Sequence, residues 1–335
     1  MSGAEPAGMT TRVVLHAQGT PEVMQLEQAP LAAPGPGELQ IVQDAIGLNY
    51  MDVYQRSGAY ALSLPSALGL EGAGRVLAIG ADVTGFAVGE SVAYGPVLGA
   101  YAQHRNLPAA RAVKLPGGID ARTAAAALMK GTTVHYLLTR TCKVQAGDDV
   151  LFWAASGGVG QIAGQWGASL GARMIGVTAG VENCARLLTL GYAHAIDRTC
   201  EDVAARVHQI TDGRGVRVVY DSVGRASFDA SLRSLGRYGM FVSFGATTGE
   251  APAVTPGQLQ HNGSLYFTRP TLADHIAERG DLVAAADAVF AMIASGAVSV
   301  NIDQTYPLAD VVRAHRDLEA GRTTGSSLLL PGGGA

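Results

Sequence analysis

Two kinds of hydrophobic pattern divide this chain. From residue 11 to about 120, short apolar runs alternate with turns rich in Gly and Pro, which predicts closely spaced strands. The clearest of these runs cover residues 12–16, 38–43, 74–79 and 91–94. Short strands at close spacing favour a partly open β-barrel for this part of the chain.

From about residue 123 the pattern alternates between helix and strand. Residues 123–128 and 132–140 predict two consecutive helices, and residues 280–295 predict another. Between them, apolar runs predict six strands at 149–155, 172–178, 193–197, 216–221, 239–244 and 264–268. Strands that alternate with helices predict a doubly wound parallel sheet. Residues 308–331 are too few for a domain, so we expect them to return to the N-terminal one.

The turn after the first of these six strands carries a chemical signal. Gly157, Gly158 and Gly160 lie between an apolar strand and a helix that has an apolar stripe from residue 162 to 170. Glycines at such a turn let the backbone approach a pyrophosphate, and the helix N-terminus offers it N–H groups and a partial positive charge. Because the chain has 44 glycines and the spacing is A-x-x-G-x-x-G, an ordinary tight turn is the alternative interpretation.

Composition narrows the classes of protein. A length of 335 residues favours two domains, and 48% hydrophobic with 16% charged residues predicts a compact fold. A net charge of −4 argues against a nucleic-acid partner. The three cysteines form no metal-ligand spacing, so we expect free thiols in a reducing cytoplasm.

Two further expectations concern membranes and the start of the chain. No run of 18 apolar residues is present, so we expect no membrane span and no membrane partner. Residues 1–10 lack the basic start and apolar centre of a signal peptide. We therefore expect them to be a disordered lead.

Eight segments together resemble one known family. They are residues 48–60, 69–76, 130–131, 154–160, 219–224, 242–245, 263–270 and 325–328. With these segments the chain resembles, from about residue 12 to 331, the zinc-free quinone oxidoreductase group of the medium-chain dehydrogenase/reductase superfamily. The resemblance implies an α/β fold with a six-stranded, doubly wound parallel Rossmann domain at 132–270. It also implies a β-rich, GroES-like, partly open barrel domain for the substrate, formed by 1–131 and 271–335.

The sequence also bears on zinc. In zinc-dependent relatives a His precedes the Glu of a Gly-Glu block, and a catalytic cysteine comes earlier in the chain. Here the block reads Gly69-Leu70-Glu71, and no cysteine precedes Cys142. Because zinc needs Cys, His or carboxylate ligands, we expect no metal site.

Coenzyme choice depends on the end of the second parallel strand. NAD-selective folds place an acid at that strand end. This chain has small residues there, and its first acid, Glu182, lies further along the chain. NADPH binders of the group usually carry Lys at the position of Asn183 and Tyr at that of Arg198. We expect Arg198 to supply the cation for the 2′-phosphate, which favours NADPH; a plain surface arginine is the alternative.

The resemblance implies the other site residues. The expected cofactor contacts are Asn49, Tyr54, Thr133, Tyr136, Ser156, Gly157, Gly158, Val159, Gly160, Thr178, Asn183, Arg198, Ser222, Phe244, Gly245, Thr268, Arg269 and Arg322. Arg322 stands one place after the position where the group has its arginine. The expected catalytic residues are Asn49, Tyr54 and Tyr60, bordering the nicotinamide and the acceptor. The alternatives are packing roles for the two tyrosines and a turn role for Asn49.

The function implied is transfer of a hydride, or of electrons, from NADPH to a quinone without zinc. The donor to charge on the acceptor oxygen is the Asn49 amide, the Tyr54 hydroxyl or an ordered water. One alternative is reduction of activated C=C bonds in enones or substituted acrylates. Another is a non-catalytic, crystallin-like or RNA-binding NADPH-binding protein, and the acidic charge weighs against RNA. Relatives dimerise through the last parallel strand, so we expect a homodimer through 264–268.

Overall fold

The structure is a computed structural model that describes residues 8–332, and it divides into two compact units. The first unit takes the chain up to residue 129 and from residue 300 onward, and the second takes residues 130–299. Residues 271–299 thus lie with the second unit, whereas the domain division expected from the sequence put them in the first. They contain a long helix whose Val289 lies so close to Gly131 that a Cβ there would be 2.7 Å from the Val289 side chain.

The elements of the chain follow in order. Up to residue 136 they are strands β1 Met9–Leu15, β2 Met24–Pro30, β3 Glu38–Leu48, β4 Ser66–Ala67, β5 Glu71–Ile79, β6 Ser91–Tyr94, β7 His104–Pro108 and β8 Ala112–Lys114, with helices α1 Tyr50–Ser57 and α2 Ala121–Tyr136. A π-helical turn, Leu137–Thr141, continues α2. Short 3₁₀ turns cover Pro21–Val23, Ala109–Arg111 and Leu308–Asp310.

The second unit contains the following elements. The strands are β9 Asp149–Trp153, β10 Arg173–Thr178, β11 His194–Asp197, β12 Val216–Asp221, β13 Leu235–Ser243 and β14 Tyr266–Thr268. The helices are α3 Gly158–Ser169, α4 Val181–Thr189, α5 Val203–Ile210, α6 Phe228–Ser234, α7 Pro256–His261, α8 Leu272–His275 and α9 Arg279–Ala294. The chain ends with β15 Ile302–Pro307, α10 Val311–Glu319 and β16 Ser326–Leu330.

The first unit is built from two sheets, which confirms the predicted β-rich, GroES-like domain. One sheet has the order β2-β1-β4, and the other has the order β15-β16-β3-β5-β6-β8, with β7 paired to β3. The side chains of Leu39, Ile41, Ile46 and Tyr94 are fully buried in its core. Of the expected disordered lead, residues 1–7 lie outside the described residues. Met9 and Thr10 begin β1, which corrects that expectation, because they pair with the end of β2.

The second unit confirms the predicted six-stranded, doubly wound parallel sheet. Its order is β11-β10-β9-β12-β13-β14, and every pairing is parallel. The apolar strand residues are buried, as expected for strands covered on both faces by helices. The two helices expected at 123–128 and 132–140 are wrong as separate elements, because α2 runs unbroken to Tyr136. A single glycine inside a helix costs only about 1 kcal/mol, so Gly131 does not end it.

Within residues 8–332, every helix is too short or too polar to cross a membrane.

Candidate active site

The carboxyl edge of the parallel sheet gathers most of the expected cofactor contacts. The strand order reverses between β9 and β12, and in open α/β sheets ligands bind at such a switch point. At this edge lie Ser156, Gly157, Gly158, Val159 and Gly160 after β9, Thr178 at the end of β10, Arg198 after β11, Ser222 after β12, Phe244 and Gly245 after β13, and Thr268 and Arg269 at β14.

The glycine turn after β9 brings helix α3 close to the strand. Gly157 is the N-cap of α3, and no side chain caps that end. A Cβ on Gly160 would lie 2.5 Å from Ala155 Cα and its carbonyl oxygen, so only glycine allows this approach. The first N–H groups of a helix have no partner inside the helix. The N-terminus of α3 can therefore bind a diphosphate.

The end of β10 carries hydroxyls and no acid. The Thr178 hydroxyl donates to Ser156 Oγ at 2.8 Å, and the Thr178 carbonyl accepts the backbone N–H of Arg198 at 3.0 Å. At the end of β11, Asp197 Oδ1 accepts the N–H groups of Gly180 and Thr199, both at 3.0 Å. Hydrogen bonds from the Thr199 hydroxyl, Gly180 and Thr199 lower the pKa of Asp197 to about 2.

Arg198 and Asn183 differ in what their side chains contact. The Asn183 Nδ2 donates to the Ala179 carbonyl at 2.9 Å, inside the first turn of α4. Arg198 is exposed, and its guanidinium forms no ion pair or side-chain hydrogen bond with any residue of 8–332. Glu182 is exposed in the first turn of α4. Among the described residues, an arginine without an ion pair thus stands beside the end of β10.

The ends of β12, β13 and β14 form a continuous rim. A Cβ on Gly245 would lie 2.6 Å from the Ser222 carbonyl oxygen, so the loops after β12 and β13 touch through this glycine. Arg269 donates from one guanidinium nitrogen to the carbonyls of Ser243 at 3.1 Å and Gly245 at 3.0 Å. These bonds tie the end of β14 to the end of β13. Phe244 and Thr268 lie half-buried in this rim.

Thr133 and Tyr136 lie three residues apart, on the same face of α2. Thr133 is half-buried, and Tyr136 is 3% exposed. The Tyr136 ring stacks on the ring of His275, with centroids 4.3 Å apart. Nothing in the periodicity of the chain indicates His275, which the sequence prediction missed.

In the first unit, the predicted catalytic residues lie along α1: Asn49 precedes it, Tyr54 is in its middle and Tyr60 follows it. Asn49 is buried before the helix, where its backbone N–H donates to Asp52 Oδ2 at 2.9 Å. The Tyr54 ring contacts the ring of Tyr50 at 5.2 Å and that of Tyr60 at 5.3 Å, both edge to face. Tyr60 is 39% exposed. Tyr50 was missed by the sequence prediction, although it stands one helical turn before Tyr54.

The residues around Glu71 do not fit a zinc ion. The Glu71 carboxylate is fully buried; Oε1 accepts from Asn49 Nδ2 at 2.8 Å, and Oε2 accepts the Met129 N–H at 2.9 Å. Leu70, beside it, offers no ligand atom. Within residues 8–332, no group of three or more His, Cys, Asp or Glu side chains is placed to hold a metal ion. No step of the chemistry is therefore assigned to zinc.

Arg322, the last expected cofactor contact, lies in the first unit and is engaged with Asp317. Its Nε and one terminal nitrogen donate to Asp317 Oδ1 at 2.9 and 2.6 Å. The same carboxylate accepts the Tyr306 hydroxyl at 3.1 Å through its other oxygen. These bonds anchor Arg322 to the end of α10.

Comparison with known proteins agrees with this architecture. Residues 35–117 match the alcohol dehydrogenase GroES-like domain, and residues 190–329 match a family described as zinc-binding dehydrogenase. The chain is 45% identical over 326 residues to the quinone oxidoreductase of Pseudomonas aeruginosa, covering 96% of this chain and all of that protein. It is 36% identical over 331 residues to a 2-haloacrylate reductase of Burkholderia sp, covering 96% of this chain and 99% of that one.

The fold also matches solved structures closely. The structure of Escherichia coli quinone oxidoreductase complexed with NADPH superimposes with a TM-score of 0.94 and 44% identity, covering 96% of this chain and 100% of that one. The class of protein defined by these features is the medium-chain dehydrogenase/reductase. The features are a GroES-like unit, a doubly wound unit and a glycine turn at the switch point. The chain belongs to the zinc-free quinone oxidoreductase group of that superfamily.

Proposed function

We propose that this protein is an NADPH-dependent quinone oxidoreductase that works without a metal ion. The observation that carries the coenzyme assignment is Arg198, whose guanidinium forms no ion pair within residues 8–332 and lies beside a strand end, that of β10, that has no acid. A planar guanidinium binds a phosphate through two hydrogen bonds. The similarity to quinone oxidoreductases, at 44–45% identity over 96% of the chain, supports a quinone as the acceptor. The NADPH complex of the Escherichia coli relative supports NADPH as the coenzyme.

The residues present fit NADPH. The N-terminus of α3 would hold the pyrophosphate, and Thr178, Asn183 and Arg198 would surround the 2′-phosphate. The rim of Ser222, Phe244, Gly245, Thr268 and Arg269, with Thr133 and Tyr136, would orient the nicotinamide half. When bound, the nicotinamide supplies the hydride, and the protein supplies position and electrostatics.

The proposed donors to the acceptor are the side chains of Asn49 and Tyr54. Reduction places negative charge on the acceptor oxygen, and a positioned N–H or O–H stabilises that charge. Asn49 Nδ2 carries two hydrogens and gives one to Glu71, so the second is available. The Tyr54 hydroxyl is the other side-chain donor proposed. Tyr60, with its exposed ring packed on Tyr54, is proposed to contact the acceptor.

Steady-state oxidation of NADPH and of NADH with ortho- and para-quinones, a 2-alkenal and a 2-haloacrylate tests the proposal. We expect turnover of quinones with NADPH. Turnover with the C=C substrates alone would move the function to C=C reduction, for which the 36% identical 2-haloacrylate reductase is the specific observation. Tight NADPH binding without any turnover would indicate a non-catalytic protein.

We also propose that the protein forms a homodimer through β14 and is cytoplasmic. β14 is the last strand of the six-stranded sheet, so one side of its backbone has no strand partner within residues 8–332. Tyr266 on this strand is 59% exposed, and an exposed edge is a ready template for pairing with a second copy. The proposed cytoplasmic location of the protein is supported by the free thiols of Cys142, Cys184 and Cys200.

A further inference from the structure

Tyr136 and His275 form the most closely stacked ring pair in residues 8–332. Their ring centroids lie 4.3 Å apart, and their planes differ by only 9°. Tyr136 is buried at the end of α2, and His275 is half-buried at the end of α8. Stacked aromatic rings attract each other beyond the burial of their surface, so each ring restrains the other.

One turn holds both of the segments that carry the two rings. The π-helical turn Leu137–Thr141 follows Tyr136 directly, and its Leu137 carbonyl accepts the Tyr220 hydroxyl at 2.7 Å. Arg140, from the same turn, donates to the His275 carbonyl at 3.0 Å and pairs with Asp281 at 2.9 Å. The turn therefore fixes the backbone of both partners.

Arg269 acts on the stack electrostatically. Burial raises the pKa of the Tyr136 hydroxyl, and the positive charge of Arg269 offsets part of that rise. Arg269 in turn donates to the carbonyls of Ser243 and Gly245 at the end of β13. The stacked pair and the rim of the carboxyl edge are thus related through the charge of Arg269.

We propose that His275 is a positioning residue for the cofactor: by stacking on Tyr136, it holds that ring where the nicotinamide half of NADPH binds. The inference rests on the proposed function. It adds a residue that lies beyond Arg269 in the chain and that no motif indicates. Burial and the neighbouring Arg140 lower the pKa of His275, which favours the neutral form of the stacked ring.

The test is the Kd of NADPH for the free enzyme, measured by titration of the NADPH fluorescence. We expect His275→Ala and His275→Leu to raise Kd about fivefold to tenfold, since leucine keeps bulk but has no aromatic face. His275→Phe should stay within about twofold of the wild type, because a phenyl ring can stack on Tyr136. The matched control is His261→Ala, an exposed histidine on α7, which should leave Kd unchanged.

A double-mutant cycle decides whether His275 acts through Tyr136. The double variant Tyr136→Ala/His275→Ala should bind NADPH no more weakly than Tyr136→Ala alone. Additive losses, or a His275→Phe variant as weak as His275→Ala, would overturn the inference. Thermal unfolding of each variant shows whether it is folded. If His275→Ala does not fold, the comparison of His275→Leu with His275→Phe still tests the inference. Failure of the proposed function appears separately, as a wild type that does not bind or oxidise NADPH.

Discussion

Glu71 Oε1 accepts a hydrogen bond from Asn49 Nδ2 at 2.8 Å, so the buried carboxylate beside Leu70 holds the residue that directly precedes α1. Its second oxygen accepts the N–H of Met129 in α2. A Cβ on Gly47 would lie 2.3 Å from Oε1, so the carboxylate fits only against a glycine in β3. The acid of the Gly-Glu block thus joins a strand and two helices, and it fixes the amide proposed to face the acceptor.

Removing that carboxylate should destabilise the protein. Glu71→Ala leaves the Asn49 amide and the Met129 N–H without this acceptor in a buried site, so we expect a loss of about 3 kcal/mol in the free energy of unfolding. Urea unfolding followed by circular dichroism measures it. The control is Glu27→Ala, which removes a more exposed carboxylate paired with His16 and should cost less than about 0.5 kcal/mol. Equal unfolding midpoints for the two variants would contradict the structural role of Glu71.

Reversing the charge at Arg198 should weaken the binding of NADPH and not that of NADH. Arg198→Glu is expected to raise the KM for NADPH about tenfold to a hundredfold, because a charge-assisted hydrogen bond contributes about 1.5–3 kcal/mol. The KM for NADH, which lacks the 2′-phosphate, should change far less. Steady-state kinetics with both coenzymes measures the difference, with Arg233→Glu at the end of α6 as the control. Equal effects on the two coenzymes would rule out the phosphate assignment.

Two helical glycines should respond oppositely to alanine. Gly160→Ala forces a Cβ to 2.5 Å from the Ala155 backbone, so we expect a loss of about 1–3 kcal/mol and weaker NADPH binding. Gly280→Ala, in α9, meets no atom within 4 Å and should be neutral or stabilise the protein by up to about 1 kcal/mol. Thermal unfolding and NADPH fluorescence measure both effects. A stable Gly160→Ala variant with full binding would show that α3 need not approach β9 closely.

A charge on the last strand should prevent pairing between copies. Tyr266→Glu places a carboxylate on the exposed edge strand β14, and we expect the variant to be monomeric where the wild type is dimeric. Light scattering coupled to size-exclusion chromatography measures the mass. The control is Leu188→Glu on α4, a 55% exposed position in the same unit, which should remain dimeric. A monomeric wild type, or a dimeric Tyr266→Glu variant, would contradict pairing through β14.

Asp197 should contribute stability that depends on pH in the acid range. Its pKa is about 2 in the folded protein, below the ordinary value of 3.8, so the folded state favours the ionised carboxylate. The stabilisation is therefore complete above about pH 4 and is lost as the pH falls towards 2. The Tm difference between the wild type and Asp197→Asn should shrink over that interval. A difference that stays constant from pH 6 to 2 would contradict the ionised role of Asp197.

The parallel strands could be predicted because buried strands appear as continuous apolar runs that end at glycine or polar residues. The predicted strand 216–221 coincides with β12 of the parallel sheet. In the first unit, the predicted strand 91–94 coincides with β6, which pairs with its neighbours in antiparallel fashion. The early start of β13, at Leu235, could not be predicted, since the segment contains glycine and exposed polar residues. Only pairing with β12, through a register shift near Val216, makes it a strand.

The sequence predicted which segments carry the candidate site, but it did not predict the contacts between their side chains. The glycine turn and the residues after each strand could be located because all parallel strands end at the same edge of the sheet. The Glu71–Asn49 bond and the Tyr136–His275 stack join residues far apart in the chain, and no periodicity relates them. The cofactor and catalytic assignments themselves stay predictions until the variants are measured.

By itself the sequence determined the number of the parallel strands, the glycine turn that follows the first of them and the absence of an acid at the end of β10. These features depend on local patterns of apolar residues, glycines and charge, which each segment carries within itself. Tertiary structure alone decided that the Glu71 carboxylate is buried under Asn49 and that the Arg198 guanidinium has no ion-pair partner within residues 8–332. Burial and pairing depend on which distant segments pack together, and that is a property of the folded chain.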